Sequence, residues 1–311
     1  MTKLPLLVIA GPTASGKTEL AVNCALEFNG EVISADSMQI YKGMNIATAK
    51  PTPEEMQGVR HHLIDFLPVD MQYSAADFSR DANKAIHDIH SRNKLPVMAG
   101  GTGLYIDSVV NNVKFIETET DYELREKLTN RFDELGAEKM LQELSKIDPE
   151  TAKRLHPSDR KRIIRAFEVY ELTGKTVSET EKESRLEPSP YNTVYIGLKY
   201  RNRDILYKRI NERVDRMVQN GLLEEAKAYY GLPKKATSSQ AIGYKEFKPY
   251  FEGEISFREA VENLKKSTRH YAKRQLTWFN KNGNIIWFYP DDYESTEELF
   301  CKVSEKIKEA I

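Results

Sequence analysis

The octapeptide Gly11-Pro12-Thr13-Ala14-Ser15-Gly16-Lys17-Thr18 fits the pattern G-x-x-x-x-G-K-[ST], a loop that cradles phosphate groups. Gly11 and Gly16 let the backbone curl so that successive N–H groups point inward, and the helix that follows adds a partial positive charge at its start. Lys17 can reach terminal phosphate oxygens, and the Thr18 hydroxyl can ligate Mg²⁺, the expected cofactor. The ligand implied is a diphosphate or a triphosphate. A second chemical group is Asp36, just past an apolar run at 31–35 (EVISA). It is either a carboxylate placed to take a proton from a substrate beside the phosphates or a cap for the turn Ser37-Met38-Gln39. A third is Thr102 within Gly100-Gly101-Thr102-Gly103. The glycines permit close backbone approach, and the Thr102 hydroxyl can face a ligand, cap the next helix, or do both. Arg209 and Arg213 stand one helical turn apart and can clamp a diphosphate between them. Arg213 could equally pair with Glu212 or Asp215 at the surface.

These groups need elements to hold them. The phosphate loop lies between an apolar strand at 4–10 (LPLLVIA) and a helix at 19–28 whose Leu20, Ala21, Ala25 and Phe28 recur at helical spacing. A capping box at Ser74-Ala75-Ala76-Asp77 opens a helix to about residue 93, with Phe78, Ala82, Ala85, Ile86 and Ile89 on one face. Strands follow at 95–99, 193–200 and 284–289, and a final helix starts at Thr296. A short strand is expected at 63–66. His61 and His62 before it face different ways and lack a third ligand at metal spacing, so they are assigned to packing. Strands alternating with helices imply an α/β fold with a parallel sheet, whose ligands gather at the carboxyl ends of the strands. Between about 114 and 189 charge is dense, the helical pattern is strong and β-branched runs disappear. The expected organisation is thus a core of residues 1–113 and 190–311 with an inserted helical domain at 114–189.

The strand at 95–99 ends in glycines and not in the acid that would organise Mg²⁺ and water for hydrolysis, leaving Asp36 as the one strong candidate. The loop is therefore expected to hold a phosphate group that leaves intact. A chain of 311 residues with net charge −1 can bind nucleic acid only through local basic patches. Two are visible. Arg160, Lys161, Arg162 and Arg165 crowd one and a half helical turns after His156-Pro157-Ser158-Asp159. Residues 263–281 carry six Lys or Arg, no acid, and the aromatics Tyr271, Trp278 and Phe279. Each patch could instead be a solvated face or core edge. Only Cys24 and Cys301 are present, which argues against a disulfide framework and for a reducing cytoplasm. The apolar residues before the phosphate loop are too few for a signal peptide or membrane helix. From the residues alone, a phosphate-loop transferase touching nucleic acid competes with a small-molecule (nucleotide) kinase.

Longer strings narrow the choice. GPTASGKT at 11–18, DSMQIYKGMNIATAKP at 36–51, YSAADF at 73–78 and GGTGLY at 100–105 resemble bacterial tRNA dimethylallyltransferases. So do HPSDRKRIIRAFEVY at 156–170, QAIGYKE at 240–246 and KRQLTWF at 273–279. Together they span nearly the whole chain in order. The departure noted is Ala47, where the family's GTAKP would place Gly. The resemblance implies a P-loop NTPase-like parallel sheet core flanked by helices, with an inserted α-helical domain. It implies transfer of a dimethylallyl group from dimethylallyl diphosphate to N6 of adenosine 37 in tRNA. Asp36 would be the base and Thr102 would contact substrate at the reacting centre. Lys17, the rest of the loop 11–18 and the pair Arg209 and Arg213 would bind the diphosphate. The resemblance further implies tRNA contacts from Arg125, from Asp36, Ser37, Met38, Gln39 and Thr102, and from Lys161, Arg162, Ile163, Ile164 and Arg165. Gln240, Ala241, Ile242, Gly243, Tyr244, Lys245, Lys273, Arg274, Gln275 and Trp278 would complete that grip. A cytoplasmic monomer without membrane attachment is expected.

Overall fold

All strand pairings in the sheet are parallel, in the order β3-β2-β4-β1-β5-β6. The computed structural model describes residues 3–115, 121–184, 187–231 and 237–310; residues 116–120, near the start of the insertion expected at 114–189, lie outside them. In chain order the first unit runs β1 (Leu4–Ala10), α1 (Lys17–Glu27), β2 (Gly30–Ser34), α2 (Pro53–Met56), β3 (His61–His62), α3 (Ala75–Ser91), β4 (Leu95–Gly100) and α4 (Gly103–Val110). Helices α5 (Tyr122–Leu135), α6 (Ala137–Ile147), α7 (Pro149–Arg154), α8 (Arg160–Thr173) and α9 (Val177–Glu183) form a separate unit spanning 111–188. The chain then returns to the first unit as β5 (Tyr191–Leu198), α10 (Arg203–Gln219), α11 (Leu222–Tyr229), α12 (Lys248–Phe251), α13 (Phe257–Phe279), β6 (Ile286–Phe288) and α14 (Thr296–Lys308).

β1 is central, with Leu7 paired to Val97 of β4 on one side and to Val194 of β5 on the other. Helices cover both sheet faces, so β1 is apolar without alternation, as parallel sheets require. Leu6, Val8 and Ala10 join Phe78, Ile86, Ile89 and Ile106 on one face. Leu7 and Ile9 pack with Leu20, Val22, Leu299, Val303 and Ile307 on the other. The five apolar residues expected to share a face of α3 are all buried, and Ser74 and Asp77 close the capping box. The order β2-β4-β1-β5 makes the chain cross over β4 when it leaves β1. The crevice beyond the carboxyl ends of β1, β2 and β4 is therefore the place for a ligand.

The strand expected at 63–66 does not form. The edge strand is His61–His62 itself, paired with Val32 and Ile33. Leu63 (φ 56°) and Asp65 (φ 55°) enter the left-handed region, which a strand cannot accommodate. His62 Nε2 instead meets Glu31 Oε2 at 2.7 Å. Glu31 is buried, and it also binds Arg92 and, at 3.0 Å, Lys94. The histidines thus help seal the sheet edge.

In the helical unit, Leu128, Phe132, Met140, Leu144, Ile163, Ile164 and Phe167 make the core. Glu168 is buried within it at 1% exposure. Arg125 reaches it with Nε at 2.8 Å and Nη2 at 2.9 Å, and Arg165 with Nη1 at 2.7 Å.

Candidate active site

The phosphate loop leaves β1 and enters α1 two residues earlier than apolar spacing alone suggests. Gly16 stands at φ 93°, which frees the amide plane just before Lys17 opens the helix. Lys17 Nζ turns back to donate to the Pro12 carbonyl at 2.6 Å, inside the loop it serves. Burial pushes its ammonium down from 10.5 to about 7; the nearby Arg213 guanidinium adds to this and the Asp36 carboxylate opposes it. A cation held half-neutral in a dry loop is one that a phosphate anion would recharge. Two further side chains fix the loop from outside. Arg209 Nε donates to the Ala14 carbonyl at 3.0 Å, and Gln275 Oε1 accepts from the Thr13 N–H at 2.9 Å.

Beyond the loop lies a cavity of about 260 Å³, room for one small molecule or one base and not for a folded strand of nucleic acid. Its lining includes the polar Thr13, Lys17, Thr18, Asp36 and Arg213 and the apolar Ala47, Ala49, Val214, Met217, Ala241, Ile242 and Leu264. Asp36 takes the capping role left open by the sequence and also faces the cavity. Its Oδ1 caps the turn, accepting from the Met38 N–H at 2.8 Å and more weakly from Gln39 at 3.3 Å, while the same residue lines the cavity. Thr102 Oγ1 accepts from the Ser37 N–H at 3.1 Å, so it ties the end of β4 to that turn. Burial, with Asp36 nearby, pushes the Tyr271 phenol well above its usual value, so it is a neutral hydroxyl at any working pH. Gln39 Nε2 reaches the carbonyls of Thr48 (3.2 Å) and Ala49 (3.1 Å), pinning the loop opposite. Gln275 closes the frame, its Nε2 donating to the Gly101 carbonyl at 3.0 Å. A Cβ on Gly101 would fall 2.0 Å from that nitrogen, so a side chain there would displace the Gln275 amide.

Known proteins share this arrangement over nearly the full chain. The family described as IPP transferase matches residues 39–282. The tRNA dimethylallyltransferase of Thermoanaerobacter sp. (strain X514) is 50% identical over 299 residues, 95% of each chain. That of Halalkalibacterium halodurans is 46% identical over 299 residues, 96% of this chain and 95% of its own. The chain belongs to the IPP transferase family. Among solved structures, the full-length tRNA isopentenylpyrophosphate transferase from Bacillus halodurans superposes with a TM-score of 0.74 at 44% identity, covering 99% of this chain and 97% of that one. A eukaryotic dimethylallyltransferase acting on tRNA gives 0.81 at 30% identity, covering 99% and 80%. The parallel sheet with its phosphate loop is accordingly the P-loop NTPase-like fold of this family.

Within this IPP transferase, the structure brings together Lys17, Thr18, Asp36, Ser37, Met38, Gln39, Arg213, Gln240, Ala241, Ile242, Gly243, Lys245, Arg274 and Gln275 around one cavity. It separates the two arginines expected to act as a clamp. Arg213 lines the cavity, buried enough that its guanidinium is pulled below its usual value against the pull of Asp36. Arg209 lies on the other side of the loop, in a cleft with Tyr200, Glu212 and Asp291. Tyr244 turns away, its hydroxyl donating to Glu225 at 2.8 Å. Trp278 rests on Gly103 and donates Nε1–H to Asp107 at 2.7 Å. In the helical unit Ile163 and Ile164 are core and cannot present side chains to nucleic acid, and Arg125 and Arg165 are engaged with Glu168. Lys161 and Arg162 form the exposed face of α8. Two residues that serve the site lie outside the expected set: Glu225, and Tyr271, expected as an aromatic of the basic patch or of a core edge. For Mg²⁺ the protein offers the exposed Thr18 hydroxyl and the Asp36 carboxylate, both lining the cavity. No group of three His, Cys, Asp or Glu converges among the described residues. So sparse a set of hard oxygen donors suits Mg²⁺, which keeps waters and draws remaining ligands from substrate phosphates.

Proposed function

We propose that the chain transfers a dimethylallyl group from dimethylallyl diphosphate to N6 of adenosine 37 in the anticodon loop of tRNA, releasing diphosphate. The observation carrying this reading is the single cavity in which phosphate-binding groups, one carboxylate and an apolar wall meet. A diphosphate ester with a short hydrocarbon chain presents those chemistries in that order. The C1–O bond of the donor breaks, its electron pair leaving with the diphosphate, as the bond from N6 to C1 forms. Lys17, Arg213 and the loop amides are fixed where the negative charge accumulates. N6 must shed a proton as it becomes bonded to carbon. Asp36 Oδ1 is committed to the turn, which leaves Oδ2 to accept that proton. Thr18 would hold Mg²⁺, which when bound adds positive charge beside the leaving diphosphate.

An adenine stacked in an anticodon loop cannot enter a cavity of this size, so it must be turned out, at a cost of roughly a few kcal/mol. Residues 37–39 and 240–245 line the route for its neighbours, and Lys161 and Arg162 supply phosphate contacts on α8. A tRNA acceptor places the enzyme in the cytoplasm, where we take it to act as a monomer; no described helix is long and apolar enough to cross a membrane.

Transfer of radiolabelled dimethylallyl groups to unmodified tRNA tests the reading. The protein should label tRNA, and Asp36→Asn, which keeps the turn's acceptor, should slow transfer by about a hundredfold or more while tRNA affinity holds. Transfer by Asp36→Asn at the unsubstituted rate would remove Asp36 as base. Failure to label tRNA, together with γ-phosphate transfer from ATP, would establish a kinase instead.

A further inference from the structure

Glu225 on α11 lies outside the cavity, yet its carboxylate is the most heavily used acceptor beside it. It accepts the N–H of Asn45 at 3.0 Å, of Ile46 at 2.8 and 3.0 Å, and of Ala47 at 2.9 Å. It also accepts the Tyr244 hydroxyl at 2.8 Å. Three successive amides and a phenol therefore converge on one side chain. The donors belong to two segments far apart in sequence, and both line the cavity: the turn carrying Ala47, Thr48 and Ala49, and the segment carrying Ala241, Ile242 and Gly243. The two touch. A Cβ placed on Gly243 would stand 2.7 Å from the Ala47 methyl, with Leu222 of α11 3.8 Å away. Ala47, Ala241 and Ile242 are apolar members of the cavity lining.

We propose that Glu225 is a positioning residue: by anchoring both segments it fixes the apolar wall and restricts the prenyl donor to five carbons. This rests on the prenyl-transfer reading above. A carboxylate suits the task because both its oxygens accept, and four donors need four lone pairs. A neutral amide offers one accepting oxygen and turns two N–H groups toward the backbone donors. The wall contact itself is the Ala47 methyl, which Gly243 leaves room for.

The test compares dimethylallyl diphosphate with geranyl diphosphate, its ten-carbon homologue, as donors to unmodified tRNA. The readout is the ratio of their kcat/KM values in the unsubstituted protein, in Glu225→Gln and in Ala47→Gly. That ratio does not depend on what fraction of a preparation is folded, so a merely structural role for Glu225 would leave it unchanged. The expected result is a preference for the five-carbon donor that falls about tenfold or more in Glu225→Gln and holds within a factor of about two in Ala47→Gly, since the anchored backbone and not that methyl sets the limit. The inhibition constant of inorganic diphosphate should stay within a factor of about two, since the phosphate end is untouched. An unchanged donor ratio in Glu225→Gln would overturn the proposal, as would equal loosening of inorganic diphosphate. If the unsubstituted protein transfers neither prenyl group, the underlying functional reading has failed instead.

Discussion

Lys17 makes donor binding a proton-linked event. Burial and Arg213 hold the empty site's ammonium down at about 7, against the pull of Asp36. A bound diphosphate supplies the missing counter-charge and returns Lys17 to its protonated form, so binding above neutral pH takes up a proton. The sign follows from a depressed lysine: the charge-dependent part of the affinity is fully present below about 7 and is lost as pH rises through it. The free site is about half protonated at pH 7 and about one-hundredth at pH 9, so affinity should weaken about 50-fold, or about 2.3 kcal/mol, between them. The donor's own last phosphate ionisation lies near 6 and does not contribute over that range. Titration calorimetry of dimethylallyl diphosphate in EDTA, repeated in buffers of different ionisation heat, reads both the affinity and the proton count. Lys17→Met should bind more weakly with a flat profile. An affinity that is level from pH 7 to 9, or a slope that survives in Lys17→Met, would refute the assignment.

Three further outcomes follow from other contacts. Gln275→Leu strands the Thr13 N–H and the Gly101 carbonyl inside the site, at about 1–3 kcal/mol in total; the donor KM should rise about tenfold in steady-state kinetics, and an unmoved KM would show that the loops hold without it. Arg162→Ala should reduce the slope of log Kd for tRNA against log salt by about one, read by filter binding across a salt series; an unchanged slope would take Arg162 off the phosphates. Glu31→Ala removes the buried partner of the partly exposed Arg92 and Lys94 and should cost about 1–3 kcal/mol of stability by urea denaturation. Because Arg92 leads the groups holding the Glu31 carboxyl below its ordinary 4.5, its contribution is present above that pH and fades as pH falls below it.

What the sequence disclosed was what short-range chemistry decides. The phosphate loop is set by residues within eight positions of one another, and α3 by a 3.6-residue period whose five apolar members are all buried. The arginine pair shows where spacing stops. Four residues along a helix advance about 6 Å and turn about 40° past a full circle, and that offset sends Arg213 into the cavity and Arg209 to the Ala14 carbonyl. The same rotation places Ile163 and Ile164 beneath the basic face they share a string with. The strand at His61–His62 was missed because its pairing with β2 and the positive φ of Leu63 are both set by distant parts of the chain. Gln275 reaches Thr13 across 262 positions, and Glu225 reaches Ile46 across 179. Contacts of that separation leave no pattern in the local sequence.

The central claim is that this phosphate loop holds a leaving diphosphate and that tRNA receives the carbon. It is tested most directly by nucleoside mass spectrometry of unmodified tRNA incubated with the protein, Mg²⁺ and dimethylallyl diphosphate, with ATP omitted. The account predicts a five-carbon addition at N6 of the adenosine beside the anticodon, reached without ATP. An adenosine of unchanged mass, with ATP turnover in a parallel tube, would contradict it.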